Sequence, residues 1–313
     1  MTLFLKLLMN LFFWVSIAVI IVLAALIPRE TTFERIGTID HMVWDFSWKA
    51  YEENIVNYYR DVKENKSLGT TQFKIPVESE LHHYGLRSLK IMIPAFFLSI
   101  ILGIIKGVYD YTYQKGPRKL FGTFTTWIGQ SIPDFFIIFS IQTFLFFLMD
   151  QGFFKVDMYG DEQWYNIIMP ILFLSMYPVS LIAKYTAEAL EEEEQKDYIR
   201  TALSKGVPRR MIIWKHALRN CYPKLLLHFM PVVMTLLSAM LVVEFLTMYR
   251  GIGTRLLSIL AIQTKMSPGQ PLPIDPGAFI GFSFLIIFVL LIVQWIDSIL
   301  THLLTKQKKE AVS

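Results

Sequence analysis

The sequence predicts an all-α membrane protein with six transmembrane helices, and three observations predict it. Hydrophobic residues occupy 54% of the 313 positions and the mean hydropathy is positive, which places the chain outside ordinary soluble domains. The apolar residues gather into runs near the roughly 20 residues a helix needs to cross a hydrocarbon core about 30 Å thick. Lys and Arg collect in alternate connecting segments, the pattern of chains that retain basic loops on the cytoplasmic side.

The first run, Leu7 to Ile27, follows Lys6 and precedes Pro28-Arg29-Glu30. It lacks a small-x-small cleavage pattern, so residues 1–27 are expected to remain as an anchor helix. Residues 28–87 form a polar insertion expected outside the cell. Within it Trp48, Tyr51, Ile55, Tyr58 and Val62 recur at helical spacing and predict an amphipathic helix. That segment is either a cap packed on the bundle or a contact for a partner.

Residues 88–305 supply five further spans: Leu89 to Tyr109, Phe124 to Met149, Ile167 to Lys184, Phe229 to Met248 and Ala278 to Leu300. The third contains Gln130, Ser131, Pro133 and Asp134. Pro133 should bend or open that helix, either to line a path through the membrane or as a packed kink. The fourth is the shortest and carries Pro170 and Pro178. Glu188 to Glu194 should extend it beyond the bilayer, with Glu192 and Lys196 four apart as a helical ion pair and the remainder solvated. Ser267 to Gly277, rich in Pro and Gly, predicts a semi-rigid connection before the last span. A tail of residues 306–313 follows.

Orientation comes from the short loops. Lys115, Arg118 and Lys119 mark one basic loop, residues from Lys196 to Lys224 another, and Lys306, Lys308 and Lys309 a third, whereas Asp150 to Tyr165 contains only Lys155. An even number of spans with both termini cytoplasmic satisfies these biases.

Catalytic signatures are sparse. No Gly-x-x-x-x-Gly-Lys-Ser/Thr loop occurs, nor His-Glu-x-x-His, and Gly281-Phe282-Ser283 lacks the closing glycine of a nucleophile elbow. His82-His83 is adjacent rather than spaced for a metal and is expected in an exposed loop. Cys221 is the sole cysteine, which excludes an intrachain disulfide. Asp134, Glu244 and Asp297 are acids within apolar spans and raise a functional question, while Lys106 should reach the interface. A membrane-integrated enzyme and a stand-alone channel or secondary transporter remain alternatives.

The most distinctive stretch runs from Asp197 to Pro223. Tyr198 with Ala202, and Ile199 with Leu203, would share helix faces; Gly206 can end the helix in a left-handed conformation; Pro208 suits the start of a second helix. Arg200-Thr201-Ala202-x-x-Lys205-Gly206 followed by His216-Ala217-Leu218-Arg219-Asn220 resembles the EAA-type loop of ABC importer permeases, in the oligopeptide, dipeptide and nickel branch. Pro76-Val77-x-Ser79-Glu80-Leu81, Ser131-Ile132-Pro133, Val243-Glu244-Phe245 and Gly251-Ile252-Gly253 fall where that branch would place them.

The resemblance implies a type I importer bundle whose cytoplasmic coupling loop, residues 185–228, docks on an ATPase. Tyr198, Arg200, Thr201, Ala202, Lys205, Gly206 and Arg209 would make that contact, and Pro133, Asp134 and Glu244 would line or gate the path. The implied partners are a second homologous permease subunit, two cytoplasmic ABC ATPases that hold the ATP and Mg, an extracytoplasmic solute-binding protein and membrane lipid, with no nucleic acid. No cofactor and no catalytic step are expected in this chain, and its place would be the bacterial plasma membrane.

Overall fold

The computed structural model describes residues 3–28, 31–36, 39–44, 46–71, 74–114, 116–153, 159–260 and 275–310, with the side chains of 31–44 and 305–310 excepted. In chain order the elements are α1 (Leu3–Ala25), β1 (Thr31–Ile36), β2 (Ile39–Trp44), α2 (Trp48–Asn65), α3 (Val77–Thr112), a 3-10 turn (Pro117–Leu120), α4 (Thr123–Ser131) and α5 (Asp134–Asp150). A second 3-10 turn (Trp164–Ile167) leads into α6 (Ile168–Glu194), α7 (Asp197–Ser204), the short α8 (Arg209–Met211), a π-helical segment (Ile212–Ala217), α9 (Leu218–Leu226), α10 (Phe229–Leu246), α11 (Ile252–Leu260) and α12 (Pro276–Glu310).

Helix dominates, as the composition predicts. Among the described residues five helices are long and apolar enough to cross a membrane, and a sixth span is made if the bent pair Pro117–Ser131 and Asp134–Asp150 counts as one. The pair turns by 108° at Ile132-Pro133, where proline removes an N–H and forces the preceding residue out of helical geometry. Ile132 is accordingly extended, at φ −91° and ψ 131°. The expected fourth span proves much longer than its apolar run, because α6 carries on through the acidic segment to Glu194. Likewise α12 continues to Glu310, so residues 306–310 prolong the last helix. Most of the expected Ser267 to Gly277 connection, along with Lys155, lies outside the described residues.

Two compact units divide the chain. In the first, residues 1–87 with 251–292, α1 is apolar all round and almost wholly exposed, the profile of a helix solvated by lipid. Its last turn leaves carbonyls without helical partners. The Tyr51 hydroxyl donates to the Leu23 carbonyl at 2.9 Å, and the Asn54 amide donates to the Leu26 carbonyl at 3.3 Å. These two residues lie three apart on the predicted amphipathic helix, α2, so one face of α2 caps the end of α1. The insertion also contains an antiparallel hairpin, with Thr31 opposite Trp44 and Ile36 opposite Ile39, which the helical periodicity of residues 48–62 gave no reason to expect. His82 and His83 are exposed as expected, but on α3 rather than in a loop.

In the second unit, residues 88–250 with 293–313, α6 is the most buried span. Gly103 and Gly107 of α3, four apart, lie directly against it. A Cβ on Gly103 would meet Ile182 Cβ at 2.6 Å, and one on Gly107 would meet Thr186 Cβ at 2.5 Å. Small residues at this spacing let two helix backbones approach closely. Lys106, between them, is tied into the fold. Its amine donates to Asp110 at 2.6 Å, to the Gly122 carbonyl at 2.9 Å and to the Thr126 hydroxyl at 2.8 Å. Asp110 is buried, and a carboxylate in a low-dielectric site needs such partners.

Candidate functional site

The polar hairpin after α6 is built on its turn. Gly206 adopts φ +74°, Gly206 N–H donates to the Leu203 carbonyl at 2.9 Å, and Val207 N–H donates to the Ala202 carbonyl at 3.1 Å. This is the paired-bond closure that a left-handed glycine allows at a helix C-terminus. Pro208, at φ −63°, precedes α8. Beneath the turn Ile199, Ile212, Ile213, Ala217, Leu218 and Cys221 pack with Leu190 of α6 and Tyr111 of α3, and Tyr198, Ala202 and Val207 lie half-buried against them. The apolar face of α7 is thus held by the chain itself, and its polar face points outward.

In the acidic run Glu188, Glu191, Glu192 and Glu194 are exposed, as expected of a solvated face, and Glu193 is the exception. Glu193 is fully buried. It accepts from the Tyr198 hydroxyl at 2.7 Å and from the Lys196 amine at 2.5 Å, with Lys224 at 3.5 Å. Glu192 pairs with Lys224 at 2.5 Å, Glu194 with Arg209 at 2.7 Å, and Glu191 with Gln114. Lys196 does not pair with Glu192, because α6 stops at Glu194 and Lys196 is already extended, at ψ 146°. Glu192, Glu193 and Glu194 therefore fasten α9, α7 and α8 to the end of α6, while Glu191 holds Gln114 beyond α3. Burial, then the bond to Glu193, pushes the Tyr198 phenol up to about 12. Burial, then the Glu193 charge, pushes the Cys221 thiol up to about 11. Burial would lower Lys224, but its bond and attraction to Glu192 outweigh this and raise it.

Of the residues the sequence nominated for this surface, Arg200, Thr201, Lys205 and Gly206 are exposed. Arg209 is exposed but tied to Glu194, with its guanidinium 5.9 Å from the Tyr111 ring centre. Tyr198 and Ala202 turn toward the interior, so their part is to seat α7. Leu203, half-exposed, adds an apolar tip that the sequence did not single out.

A second feature lies at the break between α4 and α5. A cavity of about 420 Å³ is lined by Gln130, Pro133 and Asp134 at the break, Tyr177 of α6, and Thr235 and Ser238 of α10. A neighbouring space of about 240 Å³ shares Asp134 and Tyr177. Asp134 sits in the first turn of α5 and accepts the Phe135 N–H at 2.9 Å, where a negative charge complements the helix dipole. Pro133 and Asp134 are thus brought together. Glu244 is not with them: it is wholly buried and accepts a bond from the Ser88 hydroxyl at 2.5 Å. Thr235 and Ser238 went unnoticed, although two hydroxyls three apart in an apolar span were a readable signal.

Sequence reasoning also missed a pair in the first unit. Arg255 Nε lies 2.8 Å from one Glu80 oxygen and Nη2 lies 3.3 Å from the other, with both residues buried. The Pro76 to Leu81 and Gly251 to Gly253 motifs flank these partners, and a forked guanidinium–carboxylate contact joins the segments. No cluster of three metal-ligating side chains occurs among the described residues.

Several apolar helices, a pair of them broken at a proline, with a polar hairpin clamped to the most buried span, define a multi-pass membrane protein. The family model described as binding-protein-dependent transport system inner membrane component matches residues 99–306, and the chain belongs to that family. Among curated relatives, a Brucella abortus (strain 2308) chain provisionally named a peptide transport system permease protein is 28% identical over 65% of this chain and 64% of its own length. The dipeptide transport system permease proteins DppB of Lactococcus lactis subsp. cremoris (strain MG1363) and of Bacillus subtilis (strain 168) are each 24% identical. They match over 68% and 71% of this chain, and over 66% and 68% of their own lengths. The chain thus spans slightly under two thirds of the first of these relatives.

Proposed function

We propose that this chain is the permease subunit of an ATP-driven ABC importer of oligopeptides or dipeptides, forming the translocation path and coupling it to separate ATPase subunits. Membership of the family and the peptide and dipeptide names of its relatives support the assignment. The observation that carries it is the mounting of α7: its inner face is packed on the chain's own core, and Glu193 fastens it to α6. Such an element passes a push on its outer face into a membrane span.

In this reading residues 28–87 lie outside, as an insertion available to a solute-binding protein, and residues 185–228 with both termini lie in the cytoplasm. A second, homologous permease completes the path, and two ATPases bind ATP and Mg. When nucleotide draws the ATPases together, a groove on one of them carries Arg200, Thr201, Lys205 and Gly206 with it. Tyr198 and Arg209 transmit the displacement through Glu193 and Glu194 to α6. The spans around the α4–α5 break, with Pro133 and Asp134, then open alternately to the two sides. Glu244, closed on Ser88, holds α10 against α3 at one end of the path. The chain itself performs no chemical step.

Co-purification with site-directed crosslinking tests this. With Cys221→Ala removing the native thiol, Thr201→Cys should crosslink to a cysteine in the groove of an ATPase that co-purifies. If no ATPase is recovered, and an impermeant reagent labels Lys205 from outside intact cells, the proposal is wrong.

A further inference from the structure

The cavity at the α4–α5 break is weighted toward hydrogen-bond acceptors. The Gln130 amide donates to the Ser180 carbonyl at 3.0 Å. The Thr235 hydroxyl donates to the Val232 carbonyl at 2.8 Å, and the Ser238 hydroxyl to the Met234 carbonyl at 2.9 Å. The two hydroxyls have committed their protons to backbone and present lone pairs for any further bond, while the Gln130 amide keeps its oxygen and one N–H. Asp134 contributes a carboxylate, which only accepts, and Pro133 has no N–H. The end of α4 adds carbonyls that no later residue of that helix can satisfy. Ser131 and Tyr177 are the remaining hydroxyl donors, each also able to accept, and among the described residues the lining carries no Lys, Arg or His. A space of about 420 Å³ so furnished is acceptor-rich and carries net negative charge.

We propose that this cavity binds a protonated amine or guanidinium, so that a substrate occupies it by a cationic, donor-rich end. The inference rests on the permease reading and deepens it by naming the group recognised. A primary ammonium offers three donors and a positive charge, which match the Asp134 carboxylate and the surrounding lone pairs. A carboxylate or phosphate end would face acceptors and a like charge, and an acylated amine would lose the charge and all but one donor. Broken spans place substrate groups at such ends in membrane carriers generally, with the charge of the group matched to its surroundings.

The test reads occupancy directly. The full chain in lipid discs, carrying Cys221→Ala and Ser238→Cys, is treated with a water-soluble maleimide in the presence of dialanine or N-acetyl-dialanine. Dialanine should slow alkylation at position 238, and N-acetyl-dialanine should not. Asp134→Asn should raise the dialanine concentration needed for protection roughly tenfold or more, the loss expected for a hydrogen bond to a charged group, and Asp134→Glu should retain protection. Equal protection by both compounds, protection unaffected by Asp134→Asn, or a position 238 that never reacts would each overturn the proposal. The wild-type comparison of the two compounds stands even if a variant misfolds. The readout needs neither ATP nor a partner, so failure to recover an ATPase would sink the permease reading without altering this result.

Discussion

Glu193→Gln should loosen the hairpin without unfolding the bundle. The substitution keeps the shape of a side chain with no exposed surface and removes only its charge. In the native chain Glu193 holds the Tyr198 hydroxyl at 2.7 Å and the Lys196 amine at 2.5 Å. A hydrogen bond to a charged group contributes roughly 1.5–3 kcal/mol, and a neutral one about 1 kcal/mol. Lys196 is half-exposed and regains water when released, so its share is small. The net loss comes mainly from Tyr198 and amounts to about 1–2 kcal/mol, which raises the open population of α7 roughly 5–30-fold. Trypsin reports that population directly, because Arg200, Lys205 and Arg209 are exposed but held in ordered structure, and cleavage follows the opening equilibrium when reclosing is fast. In lipid discs the variant should therefore be cut faster at these positions, by the same factor. Tyr198→Phe should act in the same direction, and the double variant should fall well short of the product of the singles, since both delete one contact. The phenol is raised from 10.0 to about 12, so this contribution is complete below about pH 10 and fades as pH rises toward 12. Unchanged cleavage, or fully multiplicative effects, would refute the view that Glu193 seats α7.

Other outcomes follow from the same geometry. Cys221, with its thiol raised from 9.0 to about 11 by burial and by Glu193, should react with maleimide at pH 8 about a hundredfold more slowly than an exposed cysteine, and Glu193→Gln should speed it. Gly107→Val should cost at least about 1–3 kcal/mol, because even its Cβ would sit 2.5 Å from Thr186; the loss should appear as a lower Tm. Glu80→Gln should destabilise by about 3 kcal/mol, the low end for a broken buried pair, since Arg255 keeps Ser258 at 3.1 Å and Asp275 at 3.9 Å; thermal melting would measure it. Gly206→Asp should still insert, because nothing lies within 4 Å of an added Cβ and Asp is among the residues that bear the strain of positive φ best, yet uptake assays should find transport abolished.

What could be read from the sequence was whatever depends on local chain order. A bend at Pro133 could be read from its place in an apolar run, though Pro94 and Pro178 sit inside continuous helices and the proline alone does not fix the 108° turn; a small glycine-ended helix before Pro208 was written into residues 197–208. The periodic residues of α2 announced their helix for the same reason. What could not be read depends on which side chain meets which across the fold. Glu191 to Glu194 look solvated in a linear sequence, and Glu191, Glu192 and Glu194 are exposed; Glu193 is buried, which a like-charged run gives no hint of, because only the folding back of α7 and α9 supplies Tyr198 and Lys224, with Lys196, as its partners. The division of the nominated site follows from this. Pro133 and Asp134 share a cavity because they adjoin one local break, whereas Glu244 faces Ser88, 156 residues away, a meeting set by the packing of α3 on α10. Tyr198 was nominated for an outer surface because it begins the recognisable motif, but the buried carboxylate five residues before it turns its hydroxyl inward. Tyr198 therefore anchors α7, and the nominated residues that remain exposed are Arg200, Thr201, Lys205, Gly206 and Arg209.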